Sequence, residues 1–239
     1  MGWGYANTLE LLDDHLGWLR EWTSSGELDQ IESSQCTVFT FTRTPNTDRY
    51  SMRIGGLPAW STLKSWPECS ECQEPMAFVA QFDFRNDSSV NFDNLIFHYC
   101  FGCSPWESGG ASSVTLSTIH VGQQLITEPV VPVEIEGEEP GPCFGIAHEL
   151  DDYAGRYTAH ATKVGGFPPP IQPIETPCDS TGKQMRFIAC LGSLEGSELK
   201  KIESTPAVGD LIWADAGYIS FWHSDNAGAE SVKWFMTCY

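Results

Sequence analysis

Apolar and polar residues alternate with a period of two over much of the chain, which is the pattern of β-strands with one buried face. Residues 37–42 (Thr-Val-Phe-Thr-Phe-Thr) are the clearest case and are rich in residues that favour strands. Further apolar runs predict strands at residues 76–84, 94–100, 114–121, 130–135, 187–192, 210–213, 218–222 and 232–239. The fold is therefore expected to be mostly β.

Two segments are expected to be helical. Between Asn7 and Trp22 the leucines recur every three or four positions, which predicts an amphipathic helix that docks on a sheet. Residues Ala147–Tyr153 are expected to form one or two helical turns. Together with the strands, these segments predict an α+β, mostly β fold with an N-terminal amphipathic helix.

One phrase occurs twice in the chain. Arg53–Pro58 and Lys163–Pro168 each consist of a base, an aliphatic residue, two glycines, a hydrophobic residue and a proline. Two further matches follow in order: Met76–Gln81 with Met185–Cys190, and Asn94–Phe97 with Asp210–Trp213. Three ordered matches at an offset of about 110 residues predict an internal duplication. We expect two pseudo-symmetric β-rich repeats in one compact unit, residues 1–125 and residues 126–239.

Four of the nine cysteines form two Cys-x-x-Cys pairs, Cys69 with Cys72 and Cys100 with Cys103, separated by 27 residues. Each pair can turn as a knuckle and give two thiolates to one tetrahedral Zn²⁺, with Zn–S distances of about 2.3 Å. An apolar strand follows the first pair and another leads into the second, so both knuckles are expected at the ends of neighbouring strands. The sequence predicts a zinc ribbon in the first repeat, with a structural ion because four thiolates close the coordination shell.

Two other uses of the cysteine pairs stay open. A redox disulfide would normally start a helix in a βαβ setting, and neither pair does so. A catalytic zinc would need an open coordination position and a nearby acid or base, such as His98. The other cysteines have no mutual ligand spacing and are expected to be small buried hydrophobic residues: Cys36, Cys143, Cys178, Cys190 and Cys238.

The chain is strongly acidic, with 32 acidic and 13 basic residues and a net charge of −19. Such a charge repels nucleic acid and anionic membranes and speeds encounter with basic partners, although many acidic proteins are simply soluble. Met1–Tyr5 lacks the features of a signal peptide, and no apolar run is long enough to span a bilayer. We therefore expect a cytoplasmic protein that binds neither nucleic acid nor membrane. The sequence leaves its oligomeric state open.

Two sets of residues are candidates for function beyond the cysteines. A surface for a basic partner is predicted from the acidic residues Glu134, Glu136, Glu138, Glu139, Glu149, Asp151 and Asp152, whose usual role is a solvated face. The alternative is a small-molecule enzyme with a cleft between the repeats, using Asp215, His160 or His223. No nucleophile elbow, His-Glu-x-x-His, P-loop or dinucleotide motif is present, so a non-enzymatic function is favoured.

The chain resembles the YwqG-like family, a bacterial group of uncharacterised, internally duplicated, mainly β proteins. The resemblance rests on Lys163–Pro168, the strand Arg186–Leu191, the segment Gly209–Gly217 and the aromatic pair Trp234-Phe235. It covers residues 50–239 and implies the same duplicated β fold. The familiar pattern of this family does not require the cysteine pairs, and it offers no catalytic residue.

The first half is also similar to the programmed-cell-death-protein-2 family. The shared features are the phrase Gly55–Trp60, a Cys-x-x-Cys pair, a phenylalanine-rich strand and a second cysteine pair. This resemblance implies zinc binding and a role in escorting a newly made, basic ribosomal protein. Charge, cysteines and resemblance together predict a protein that binds a basic partner, either as an immunity protein that occludes a toxin or as a dedicated chaperone for a nascent client.

Overall fold

The computed structural model describes residues 33–42, 44–59, 65–118, 143–153, 161–169, 175–194, 211, 213–214, 217–225 and 231–238. Within these ranges the chain forms strands and no helix, so the prediction of a mostly β fold is confirmed. The strands are β1 (Ser33–Thr42), β2 (Arg53–Ile54), β3 (Ala77–Asp83), β4 (Asn94–Tyr99), β5 (Ser112–Ser117), β6 (Cys143–Tyr153), β7 (Thr162–Gly165), β8 (Arg186–Gly192), β9 (Tyr218–His223) and β10 (Val232–Thr237). The predicted helix Asn7–Trp22 lies outside the described residues. No described segment is a helix with the length and apolarity that crossing a membrane requires.

The chain divides into two compact units, which we call the cysteine unit (Thr42–Gly145) and the terminal unit (Met1–Phe41 with Ile146–Tyr239). In the cysteine unit the strand order is β6-β2-β3-β4-β5, with β6 contributing its first residues. In the terminal unit the order is β10-β9-β8-β7-β1-β6. These units differ from the predicted halves, residues 1–125 and 126–239, because β1 pairs with β7 of the second half.

The core of the cysteine unit lies on β3 and β4. All residues of β4 and all but the last of β3 are buried, which explains why both sequences are mostly apolar. Two buried polar side chains fasten the preceding loop to this core. Gln81 accepts a hydrogen bond from the Ala59 N–H at 2.6 Å and donates to the Arg49 carbonyl at 3.0 Å, and Asn94 donates to the Tyr50 carbonyl at 3.1 Å.

The terminal unit contains a buried ion pair that explains its glycine phrase. Lys163 donates a hydrogen bond to Asp152, and neither side chain is exposed. The Asp152 carboxylate also accepts the Phe167 N–H at 2.9 Å, while the Lys163 ammonium donates to the Phe167 carbonyl at 2.6 Å. Gly166 has a φ of 71°, and a Cβ there would lie 2.4 Å from the Asp152 Oδ2. Only glycine therefore fits at this close approach.

Several expectations are corrected by the structure. Asp152 was predicted on a partner surface, but it is buried because it neutralises Lys163. Ala147–Tyr153 was predicted to be helical, but it belongs to strand β6. Among the other cysteines Cys36, Cys143 and Cys190 are buried as predicted, whereas Cys178 is exposed.

Corresponding local features occur in the two units. Residues Phe78–Ala80 of β3 and Phe187–Ala189 of β8 each carry a register shift against the following strand. The Met76 N–H donates to the Pro67 carbonyl at 3.0 Å, and the Met185 N–H donates to the Pro177 carbonyl at 2.8 Å. The counterpart of β4 is β9, whereas the sequence match had paired Asn94–Phe97 with Asp210–Trp213. Within that match, Leu211 forms only an isolated bridge with Leu194.

Candidate metal centre

The four paired cysteines lie together at one end of the β3–β4 hairpin. Cys69 and Cys72 precede β3, and Cys100 and Cys103 follow β4. Because β3 and β4 are antiparallel, with Ala77 opposite Tyr99, the two pairs meet at the same end of these strands. All four Sγ atoms lie within 4.8 Å of one another, so the prediction that these cysteines form one cluster is confirmed.

The sulfur separations match those of a tetrahedral metal site. The Sγ atoms of Cys69 and Cys103 are 3.7 Å apart, and those of Cys72 and Cys100 are 3.6 Å apart. Four ligands at about 2.3 Å from one tetrahedral ion would be about 3.8 Å from each other. A disulfide would require about 2.05 Å, and all four cysteines are free. The cluster can therefore hold one metal ion, and sulfur ligands in this geometry suit zinc or iron.

Both cysteine pairs turn in the same way. The Gln73 N–H donates to the Cys69 carbonyl at 2.8 Å, and the Ser104 N–H donates to the Cys100 carbonyl at 2.9 Å. Gln73 and Ser104, each following the second cysteine of its pair, have φ values of 66° and 46°. Positive φ is uncommon outside glycine. Its occurrence at equivalent positions shows that the two knuckles have one shared geometry.

A third loop fastens the knuckles together. The Ser70 N–H donates to the Gly110 carbonyl at 2.8 Å, and the Cys100 N–H donates to the Ala111 carbonyl at 3.0 Å. A Cβ at Gly110 would lie 1.7 Å from the Ser70 Oγ, so a larger residue would displace the Ser70 side chain where this loop approaches the first knuckle. Two of the ligand cysteines, Cys69 and Cys100, form a small buried apolar cluster with Met76 and Ala111. The ligands are thus held by backbone hydrogen bonds and by packing.

The thiols of the cluster differ in proton affinity. Burial tends to raise the pKa of Cys69, but the backbone N–H groups of Cys72 and Glu71 and the neighbouring thiols lower this pKa to about 7. Hydrogen bonds with Cys69 and Cys72 raise the pKa of Cys103 to about 12. One thiolate therefore opposes ionisation of its neighbours. A dication bound between the four sulfurs would remove this opposition, because it stabilises every thiolate at once.

His98 lies outside the cluster. Its ring is fully buried, 5.2 Å between centroids from Trp66 and 5.7 Å from Phe78. Burial lowers the pKa of His98 to about 4, so the ring is neutral near pH 7. The structure groups the four cysteines without this histidine, and the alternative of a catalytic zinc assisted by His98 gains no support from its position.

The predicted acidic surface is described only in part. Glu149 and Asp151 are exposed on β6, where they accept hydrogen bonds from the side chains of Thr37 and Gln35. The predicted residues Glu134, Glu136, Glu138 and Glu139 lie outside the described residues. Asp152 is in the core. The structure therefore locates two exposed carboxylates of the predicted surface, those of Glu149 and Asp151.

The candidate catalytic residues are likewise described in part. His223 is buried, with its Nδ1 atom 3.7 Å from the Asp225 Oδ1. Burial, followed by the positive charge of Arg186, lowers the pKa of His223. Asp215 and His160 lie outside the described residues. The structure therefore brings none of these candidates together within the part of the chain that it describes.

The terminal unit has a counterpart of the metal centre that sequence reasoning missed. The Asp179 N–H donates to the Lys183 carbonyl at 2.8 Å, as the Cys69 N–H donates to the Glu74 carbonyl at 2.9 Å. The Ser224 N–H donates to the Ser231 carbonyl at 2.8 Å, as the N–H of Cys100 does to Ala111. Asp179 and Ser224 thus occupy the places of Cys69 and Cys100.

A hydrogen bond joins these two residues where sulfurs meet in the cysteine unit. The Ser224 Oγ donates to the Asp179 Oδ2 at 2.6 Å. The Asp179 Oδ1 accepts from the Thr181 Oγ1 at 2.7 Å and from the Thr181 and Lys183 N–H groups at 2.8 and 3.0 Å. The hydrogen bonds from Ser224 and Thr181 hold the pKa of Asp179 well below its usual range. The only sequence signal was an aspartate two residues before Thr-Gly, the pattern of a turn.

Comparison with known proteins adds no family assignment. No protein-family model matches the chain, and no curated protein is significantly similar to it. The function is therefore inferred from the geometry of the cysteine cluster, from the charge of the chain and from its exposed side chains.

Proposed function

We propose that this chain is a zinc-stabilised acidic protein that binds a basic protein partner. It would occlude that partner, as an immunity protein occludes a toxin, or escort it, as a dedicated chaperone escorts a nascent client. The observation that carries the proposal is a four-cysteine cluster with tetrahedral spacing on a chain of net charge −19. The proposed location is the cytoplasm, where free thiols persist.

The ion would have a structural role. Cys69, Cys72, Cys100 and Cys103 would hold Zn²⁺ with all four positions filled, which leaves no place for a substrate or an activated water. Bound zinc would join the start of β3 to the end of β4 and so form a zinc ribbon. The same four thiolates with a dication carry a net charge of about −2, which adds to the negative field of the chain.

The net negative charge of the chain supports the proposal of a basic partner. A net charge of −19 on 239 residues attracts positively charged proteins and raises their association rate. Nucleic acid and anionic membranes would be repelled by the same field. The resemblance to the programmed-cell-death-protein-2 family, whose members escort a basic ribosomal protein, points to the same class of partner.

An internal duplication would account for the corresponding features of the two units. The matched register shifts at Phe78–Ala80 and Phe187–Ala189 support it. The paired glycines with positive φ, Gly55-Gly56 and Gly165-Gly166, support it as well. We propose on this basis, and on the sequence resemblance, that the chain is a YwqG-like protein whose first repeat gained or kept the metal site.

The experiment is affinity capture of the tagged chain from source-cell extract at about 50 mM and about 500 mM salt, with mass spectrometry of the bound proteins. This change shortens the Debye length about threefold, so a complex held by charge should weaken sharply. Recovery of one basic protein at low salt, and its loss at high salt, is the expected result. Failure to recover a basic protein at either salt would contradict the proposal.

The identity of the captured protein separates the two roles, since a toxin indicates immunity and a nascent client indicates chaperoning. Reversal of Glu134, Glu136, Glu138 and Glu139 to Lys tests the predicted partner surface in the same assay. Unchanged capture by this variant would show that the partner binds elsewhere.

A further inference from the structure

Two exposed aromatic side chains lie on the second knuckle. Phe101 is 38% exposed and Trp106 is 57% exposed, within six residues of chain. Among the described residues the other exposed large hydrophobic side chains, Leu57 and Ile146, stand singly in the sequence. Grouped exposed aromatic residues mark interaction surfaces more often than isolated ones do.

One buried tyrosine contacts Phe101 and holds the backbone next to Trp106. The rings of Tyr99 and Phe101 are 5.0 Å apart between centroids, in an edge-to-face arrangement. The Tyr99 hydroxyl donates to the Pro105 carbonyl at 3.0 Å, directly before Trp106, and lies 3.3 Å from the Ser104 Oγ. Since Tyr99 is only 1% exposed, it fixes this segment to the core. The Phe101 ring and the backbone beside Trp106 are therefore pre-organised, which lowers the entropic cost of binding a partner.

The chain segments that form the two knuckles are negatively charged. Segments 65–76 and 99–112, which form the two knuckles and the loop between them and β5, contain no lysine, arginine or histidine. Their charged residues are four exposed glutamates: Glu68, Glu71, Glu74 and Glu107. The Glu71 carboxylate reaches the third loop, where it lies 3.5 Å from the Cβ position of Gly110. The backbone hydrogen bond from Ser70 to Gly110 holds the segment next to Glu71 against the loop that carries Trp106.

A surface that combines aromatic rings with carboxylates favours one side chain of a partner in particular, that of arginine. The guanidinium of arginine stacks on aromatic faces and pairs with carboxylates at the same time. An apolar partner segment would leave the glutamates without partners, and an acidic one would be repelled.

We propose that Phe101, Trp106, Glu68, Glu71, Glu74 and Glu107, the knuckle surface, bind an arginine-rich segment of the protein partner. This inference rests on the proposed function and adds the place of contact and the chemistry of the segment. Trp106 supplies the ring on which a guanidinium stacks, and the glutamates supply the surrounding negative charge. The bound metal holds the two knuckles, and therefore the surface, in place.

The test measures binding of a short fluorescent peptide of alternating arginine and glycine to the full chain at about 150 mM salt, where unspecific charge attraction is screened. Trp106→Ala should weaken binding about tenfold, which lies between the effects of losing an exposed and a fully desolvated cation–π contact. The matched control is Leu57→Ala, which removes a similarly exposed hydrophobic side chain from the same unit and should change binding less than about twofold. A lysine–glycine peptide should bind wild type more weakly, and Trp106→Ala should reduce that preference.

Equal binding by wild type and Trp106→Ala would overturn the proposal, provided that metal content and unfolding temperature are unchanged in the variant. A concentration-dependent dimer that is lost in Trp106→Ala would also overturn it, because the surface would then bind a second copy of the chain. Capture from extract separates this failure from failure of the proposed function. If Trp106→Ala still captures the basic partner as wild type does, the knuckle surface is wrong and the proposed function stands. If wild type captures none, the proposed function fails.

Discussion

Loss of the metal should destabilise the cysteine unit. Cys72→Ser removes one thiolate from an exposed position, so the change disturbs packing little while it opens the tetrahedral set. Without the ion the two knuckles would be joined mainly by the backbone hydrogen bonds from Ser70 to Gly110 and from Cys100 to Ala111. Each such bond contributes about 1 kcal/mol.

The size of the effect follows from linkage. At a free metal concentration about a thousandfold above the dissociation constant, binding stabilises the folded state by about 4 kcal/mol. For a chain of this length each kcal/mol shifts the unfolding temperature by about 3 °C, so Cys72→Ser or chelation should lower it by about 12 °C. Because the thiolates must be deprotonated, acid should release the metal and produce the same loss.

The assay combines metal analysis with differential scanning calorimetry. Wild type should contain one zinc per chain, and Cys178→Ser, which changes an exposed cysteine outside the cluster, should keep both the zinc and the unfolding temperature. The reasoning would be refuted if a chelator removed the metal without changing the transition. If metal analysis found iron in place of zinc, the proposed identity of the ion would be wrong, but the proposed tetrahedral site would stand.

Two further predictions concern the terminal unit. Gly166→Ala should lower the free energy of unfolding by about 3 kcal/mol in urea denaturation, since the new Cβ meets the Asp152 carboxylate and the positive φ is strained. The control is Gly182→Ala, at φ 84° with open space around it, which should lower the free energy of unfolding by about 1 kcal/mol. Asp179→Asn should lower the urea midpoint near pH 7, whereas Asp225→Asn should leave it unchanged because Asp225 is exposed. Since the pKa of Asp179 is depressed on folding, its contribution is present above the unfolded-state pKa of about 3.9 and is lost as pH falls through the folded value. Equal losses of unfolding free energy in the two alanine variants would contradict this account. So would an Asp179→Asn loss of stability that grows as the pH falls.

The cysteine cluster could be predicted from the sequence because its signal is local. Two residues between cysteines fix each turn, and the apolar strands beside the pairs bring the turns together. The same holds for β3 and β8, whose apolar runs lie in fully or nearly fully buried strands.

Non-local partners could not be predicted in this way. Asp152 has the composition of a solvated acidic segment, and only its pairing with Lys163 from another strand shows that it is buried. The segment Ala147–Tyr153 was expected to be helical, because its polar residues hide the alternation that a strand in the sheet requires. The exposure of Phe101 and Trp106 could not be predicted either, since sequence alone does not show which aromatic residues stay outside the core.

The two units fasten equivalent hairpin ends by different chemistry. In the terminal unit, the Ser224 hydroxyl donates a hydrogen bond to the Asp179 carboxylate. In the cysteine unit the same two places carry sulfur, and two further cysteines complete a metal set. We propose that this difference gives the cysteine unit a fixed platform for Phe101 and Trp106. Replacing the ligands should consequently weaken peptide binding by the full chain even at temperatures where the fold persists, whereas Asp179→Asn should leave peptide binding unchanged.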